Sequence, residues 1–141
     1  MQKVSLKFDD IKIGDAVDER ILITEGLVDR YITLSGDSSE IHQCLEAAHD
    51  AGFLGRVVHG TLISSFFSML IGTRLPGHNA LLLEIKCKFH LPAIVGDTIS
   101  VEAVIIDKHF SVECVTVKLH AIRSDGQKLC SGEALVKIRS T

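Results

Sequence analysis

Asp37 and His42 lie five positions apart in a turn rich in glycine and serine. A second pair, His59 and Gly60, directly precedes a long apolar segment that is typical of a helix. The first residues of a helix offer free backbone N–H groups and the positive end of the helix dipole. The two stretches therefore supply a pair for proton transfer and a place to stabilise an anion. These are the parts needed to add water to an activated acyl compound, or to remove it.

Each of these residues also has a structural explanation. Asp37 follows a glycine and is a common type of turn or N-cap residue, so spacing alone leaves both roles open. His59 can simply form a hydrogen bond at the start of the helix. Ser64 and Ser68 lie four residues apart in that helix, where a serine commonly bonds back to a carbonyl of the preceding turn.

Composition narrows the function classes. The chain has 141 residues, 46% of them hydrophobic and 23% charged, which is typical of one globular domain over 1–141. A net charge of −3 without a long basic run argues against nucleic acid as a partner. We expect no membrane span, because no run of about 18 apolar residues occurs. The first ten residues lack an apolar signal core, so we expect no secretion.

The cysteines indicate a reducing compartment. Cys44, Cys87, Cys114 and Cys130 are widely spaced, so we expect them to be reduced in a cytoplasmic or organelle-matrix protein. The spacing of His42, Cys44 and His49 lacks a clear fourth ligand and matches no zinc pattern. We therefore expect no metal, and no cofactor motif is recognised.

The elements that must position these residues change character at mid-chain. A strand including 21–24 precedes predicted helices at 24–35, 45–51 and 61–72, the last apolar on almost all sides and therefore buried. Alternating patterns then predict strands at 81–90, 98–107, 110–123 and 127–138. In the first of these strands, Leu81, Leu83, Ile85, Cys87 and Phe89 would share one face. The order predicts an α+β fold in which a curved antiparallel sheet wraps a buried helix.

Three segments resemble one known family. The stretch 36–42, the His59-Gly60 pair and the turn 91–97 resemble the MaoC-like, (R)-specific enoyl-CoA hydratase group of hot-dog-fold proteins. That group has a motif close to G-D-x-N-P-x-H-x-D, followed by H-G and a helix. The resemblance covers nearly the whole chain. It implies the hot-dog fold and a homodimer in which two sheets join and the sites lie near the interface.

The resemblance also implies roles for individual residues. It makes Asp37 and His42 the catalytic acid–base pair and the N–H of Gly60 the oxyanion hole. Ser68, eight residues after that glycine, and His59 become candidate substrate-binding residues. The implied reaction is hydration of 2-enoyl thioesters, or dehydration of (R)-3-hydroxyacyl thioesters, carried on coenzyme A or acyl carrier protein. Lys86, Lys88 and Arg74 are candidates for a basic patch that would bind either carrier.

The chain departs from the family motif at three positions. Ser39 and Glu40 replace the usual Asn-Pro, and Cys44 replaces an aspartate. Loss of the proline would loosen the turn. These departures keep two alternatives open: an acyl-thioester binding protein without catalysis, and a hot-dog thioesterase that releases free thiol.

Overall fold

One five-stranded antiparallel sheet forms the scaffold of the molecule. The computed structural model describes residues 3–140; residues 1, 2 and 141 lie outside it, so one domain over 1–141 stays a prediction. The strands are β1 (Ala16–Leu22), β2 (Ala80–Phe89), β3 (Thr98–His109), β4 (Cys114–Arg123) and β5 (Lys128–Ile138). Their order across the sheet is β1-β3-β4-β5-β2. The helices are α1 (Glu25–Ser35), α2 (Glu40–Gln43), α3 (Leu45–Asp50) and α4 (Gly60–Thr73). The predicted α+β architecture is confirmed.

Helix α4 packs against one face of the sheet and contacts β1, β2 and β3. Its residues Leu62, Phe67 and Leu70 are buried in the same apolar core as the inward-facing residues of β3, β4 and β5. The composition of α4 predicted burial on almost all sides, but one side of the helix is exposed. Ser65 and Ser68 lie on this exposed face, which the high share of apolar residues in this segment concealed.

Local signals determine where α1 begins and ends. The hydroxyl of Thr24 caps its first turn by accepting a hydrogen bond from the N–H of Leu27 at 3.1 Å. Gly36 ends the helix with φ of 77°, in the left-handed region that glycine adopts most readily. The chain then turns sharply into the segment that carries Asp37. The predicted helix at 24–35 is confirmed, whereas the single turn of α2 was not predicted.

Two strand predictions are wrong in detail. A β-bulge shifts the register of β2 between Leu82 and Glu84, so the predicted alternation fails at its start. Leu82 pairs with the buried Val136, while Leu81 pairs with Lys137. The predicted strand 110–123 begins only at Cys114, since residues 110–113 form the turn of a hairpin.

Within residues 3–140, no helix is long and apolar enough to cross a membrane.

Candidate active site

The loop between α1 and α2 holds the first candidate residue. One carboxylate oxygen of Asp37, Oδ1, accepts a hydrogen bond from the N–H of Ser39 at 3.3 Å. The other oxygen, Oδ2, lies 3.9 Å from Nε2 of His42. The hydrogen bond of the turn therefore uses one oxygen of the carboxylate, while the other oxygen faces His42.

The imidazole of His42 has a defined orientation. Its Nδ1 lies 2.7 Å from the carbonyl oxygen of Val57, and a carbonyl can only accept. Nδ1 must therefore carry the proton and donate it, which leaves a lone pair on Nε2 when the ring is neutral. That lone pair lies on the side of the ring that faces Asp37. The structure therefore brings the two residues of the predicted pair together, with Nε2 of His42 available as an acceptor between them.

His59 connects the parts of the site. Its side chain is buried, and its Nε2–H donates to the backbone carbonyl of Asp37 at 2.9 Å. Its ring stacks on that of His42, with centroids 3.7 Å apart and planes inclined by 22°. Tyr31 packs edge-on against the opposite side, with a centroid distance of 4.9 Å. Nδ1 of His59 is buried and has no partner among residues 3–140.

Arg56, which lies outside the motif 36–42, holds the loop that carries His42 in place. Its Nε donates to the backbone carbonyl of His42 at 2.8 Å. Its guanidinium also forms an ion pair of 2.6 Å with Asp29 of α1. This residue was missed by sequence analysis. In the sequence it is a single arginine directly before the apolar Val57-Val58 pair. That position does not by itself indicate a contact with His42, fourteen residues away.

Gly60 begins α4, so its N–H has no acceptor within the helix. A Cβ at this position would lie 2.9 Å from Cε1 of Phe89, closer than carbon atoms pack. Glycine therefore allows the ring of Phe89 to lie directly against the start of the helix. The result is a free N–H donor at the helix N-terminus, next to an aromatic wall.

These residues line one cavity of about 480 Å³. Its wall includes Asp37, His42, His59 and Gly60, together with Phe89 at the end of β2 and the apolar side chains of residues 91–93. Ser68 is not among the lining residues. It lies eight residues beyond Gly60, about 12 Å further along the axis of α4, on its exposed face. Four of the five predicted site residues are thus brought together, and the substrate-binding role of Ser68 stays a prediction.

A metal is the other occupant that this donor set suggests. Asp37, His42 and His59 each place one potential ligand atom within 4.8 Å of the others. Imidazole binds a metal along the lone pair in its ring plane. Two rings stacked face to face hold these lone pairs in nearly parallel planes and do not direct them at one ion. The two imidazoles therefore do not converge on one point.

The spacing of His42, Cys44 and His49, which matches no zinc pattern, brings no group of metal ligands together among residues 3–140. Cys44 is exposed, and Nε2 of His49 lies 3.2 Å from the carbonyl of Leu54. The only described group with metal-ligand proximity therefore contains neither Cys44 nor His49. That no metal binds remains a prediction.

Comparison with known proteins identifies close relatives. Residues 10–124 match the model of the MaoC like domain. The chain is 30% identical over 131 residues to the (R)-specific enoyl-CoA hydratase of Rhodospirillum rubrum, covering 93% of this chain and 90% of that protein. It is also 30% identical over 132 residues to the mitochondrial 3-hydroxyacyl-[acyl-carrier-protein] dehydratase FERN of Solanum lycopersicum, covering 92% of this chain and 79% of that protein.

The solved structures give the same result. The (R)-hydratase of A. caviae involved in PHA biosynthesis superposes with a TM-score of 0.89 at 27% identity, over 92% of this chain and 98% of that chain. The sheet and its packed helix match in the two molecules. The hot-dog fold expected from the sequence resemblance is confirmed.

Proposed function

This chain belongs to the MaoC-like domain family, and on that premise we propose that it catalyses reversible hydration of 2-enoyl thioesters to (R)-3-hydroxyacyl thioesters. One observation carries the proposal. The carboxylate of Asp37 and the free Nε2 of His42 face each other at 3.9 Å, in the same cavity as the N–H of Gly60. The relatives named as (R)-specific enoyl-CoA hydratase and as 3-hydroxyacyl-acyl-carrier-protein dehydratase perform the two directions of this reaction.

Asp37 and His42 share the proton transfers. Their separation of 3.9 Å exceeds a direct hydrogen bond. One water molecule fits at hydrogen-bond distance from both Oδ2 and Nε2. As this water attacks C3 of the enoyl group, the pair takes up one of its protons at Nε2 or Oδ2 and then passes that proton to C2, so that OH is added to C3 and H to C2. Dehydration uses the same groups in the opposite order.

Gly60 stabilises the charge that develops on the thioester. When water attacks C3, negative charge moves to the thioester oxygen. The N–H of Gly60 donates a hydrogen bond to this oxygen, and the positive end of the α4 dipole adds to the effect. Loss of one such donor typically raises a barrier by about 3–4 kcal/mol.

The test is product analysis. Purified protein is mixed with crotonyl-CoA and with a longer 2-enoyl-CoA, and products are analysed by mass spectrometry and chiral chromatography. We expect (R)-3-hydroxyacyl-CoA from wild type, and a loss of at least a hundredfold in kcat for Asp37→Asn and His42→Ala. Asp50→Asn and His78→Ala, at exposed positions outside the cavity, are matched controls that should keep full activity.

The other outcomes would change either the function or the residues assigned to it. Free coenzyme A without hydration would make the chain a thioesterase. Saturable binding of the enoyl thioester without any turnover would support the binding-only alternative. Full activity in Asp37→Asn would refute the assignment of the acid–base pair while leaving the reaction itself in place.

We also infer a homodimer that joins at β2. This strand lies at the edge of the sheet and exposes apolar side chains, among them Leu81 and Leu83 at 50% and 52%. An edge strand with free backbone groups and apolar side chains is suited to pair with a second copy. Light scattering at micromolar concentration should give twice the chain mass, and a monomer mass would refute the inference.

A cytoplasmic location is consistent with the thiols. All four cysteines are free, as expected of a protein that folds in a reducing compartment. Fractionation of the source cells with an antibody against the chain would test the location.

A further inference from the structure

A second concavity of about 380 Å³ lies on the outer face of the sheet, where β2 and β5 meet. Three lysines line it, and the strand register explains why they converge. Lys86 pairs with Glu133 of β5, which pairs in turn with Lys118 of β4. Lys88 pairs with Ser131 in the next row. We call this feature, lined by Lys86, Lys88, Lys118, Ser131 and Glu133, the basic cleft.

The basic cleft is positive in a chain whose net charge is −3. Lys86 forms an ion pair of 3.2 Å with Glu84. Within residues 3–140, neither Lys88 nor Lys118 forms an ion pair with a carboxylate. The pKa of the neighbouring His120 is lowered, first by burial and then by the positive charges of Lys128 and Lys118. Two ammonium groups are thus available to an anion.

The basic cleft is adjacent to the active-site cavity. His90 lines that cavity, and its Nε2 lies 2.7 Å from the hydroxyl of Ser131, which lines the basic cleft. Along β2, Lys88 lies two residues and Lys86 four residues from His90. At about 3.4 Å per residue these distances are roughly 7 and 14 Å. An extended pantetheine arm spans such a distance.

We propose that the basic cleft binds the phosphate groups of the nucleotide half of coenzyme A, while the acyl end lies between Asp37 and Gly60. This deepens the proposed function and rests on it, because it selects coenzyme A over acyl carrier protein as the carrier. A concavity of about 380 Å³ is of the order that small ligands occupy. Two neighbouring ammonium groups without a carboxylate partner suit the phosphates of a nucleotide.

The prediction that Arg74 belongs to this basic patch is wrong. Arg74 donates to the carbonyl of Asp18 at 2.8 Å and pairs with Glu19 at 3.2 Å. Both partners belong to β1, at the edge of the sheet opposite β2. Lys86 and Lys88 remain, and Lys118 takes the place of Arg74.

The first test measures binding without catalysis. Calorimetry with adenosine 3′,5′-bisphosphate compares wild type with the Lys88→Gln/Lys118→Gln double variant. Lys12→Gln, an exposed lysine in the turn before β1, is the matched control. We expect saturable binding to wild type and to the control. In the double variant the Kd should rise at least tenfold and should depend less on salt.

The second test uses turnover. Crotonyl-pantetheine has the same arm as crotonyl-CoA but lacks the nucleotide. We expect the double variant to raise KM for crotonyl-CoA about tenfold without changing kcat, and to leave KM for crotonyl-pantetheine unchanged. Circular dichroism would verify that the variant is folded, since both substitutions lie on the exposed side of the sheet.

The outcomes separate the two proposals. Crotonyl-acyl carrier protein is assayed beside the two small thioesters. Turnover of none of the three would refute the proposed function, while the calorimetry would still decide the ligand of the basic cleft. Equal nucleotide affinity in wild type and the double variant would overturn the cleft proposal. So would a KM increase confined to crotonyl-acyl carrier protein, because the lysines would then contact a protein carrier.

Discussion

Replacement of His59 should slow catalysis more than it weakens substrate binding. The ring holds the loop by one neutral hydrogen bond to the carbonyl of Asp37, which is worth about 1 kcal/mol, and by a stack on His42, which is worth roughly as much. His59→Phe keeps an aromatic ring but loses the donor, so the free energy of unfolding should fall by about 1 kcal/mol. His59→Gln keeps an N–H donor but loses the stack.

The rate effect should be larger than the stability effect, because an acid–base pair misplaced by about 1 Å can lose about a hundredfold in rate. We expect kcat for crotonyl-CoA hydration to fall ten- to a hundredfold in His59→Phe with KM nearly unchanged, and His59→Gln to recover part of the loss. Steady-state kinetics and urea unfolding of the same preparations give both quantities. A wild-type kcat in His59→Phe would refute the positioning role. A change confined to KM would instead favour the substrate contact that the sequence resemblance implied.

Three further predictions concern the sheet. A Cβ on Gly132 would lie 2.2 Å from the carbonyl oxygen of Lys86, so Gly132→Ala should lower the free energy of unfolding by about 2–3 kcal/mol in urea titrations; an unchanged midpoint would contradict this close approach. Burial raises the pKa of the Cys130 thiol to about 12. Iodoacetamide at pH 8 should therefore modify the exposed Cys44 and spare Cys130 in the folded protein, as peptide mass spectrometry would reveal. Burial also lowers the pKa of His120 below 6.5. Since unfolding then takes up a proton in acid, stability should fall as the pH drops through about 6.5, and His120→Gln should reduce that loss between pH 7.5 and 5.5.

Sequence reasoning was successful where a signal is local. The bounds of helix α1 were predicted to within one residue, because its stripe of apolar residues is ended by Gly36. Thr24 was counted as the first helical residue, whereas the structure shows that it is the N-cap. The bulge in β2 was missed because residues 80–83 are all apolar. Alternation identifies a face only when polar residues separate the apolar ones, and four consecutive apolar residues carry no information on register.

The candidate site shows the same limit. Asp37 and His42 lie within one short motif, so their spacing could suggest a pair. The interactions that orient them come from residues distant in the chain: His59 reaches back twenty-two positions to Asp37, and Arg56 fourteen to His42. Such contacts depend on how α4 packs against the sheet, which composition and periodicity do not specify.

The altered motif does not remove the geometry that the proposed reaction needs. Glu40 replaces the proline of the family at the first residue of α2, where a carboxylate interacts favourably with the helix dipole. The turn is held by hydrogen bonds instead of a proline ring: Ser39 N–H donates to Asp37 Oδ1 at 3.3 Å, and His42 N–H donates to Ser39 C=O at 3.0 Å.

Cys44 precedes α3 and provides no side-chain cap there, a role suited to the family's aspartate. Its replacement therefore affects the start of a six-residue helix rather than the proton-transfer pair. The substitutions that suggested a binding-only protein thus act on how the loop is stiffened, and they leave Oδ2 of Asp37 and Nε2 of His42 facing each other. On this structure, catalysis is better supported than binding alone.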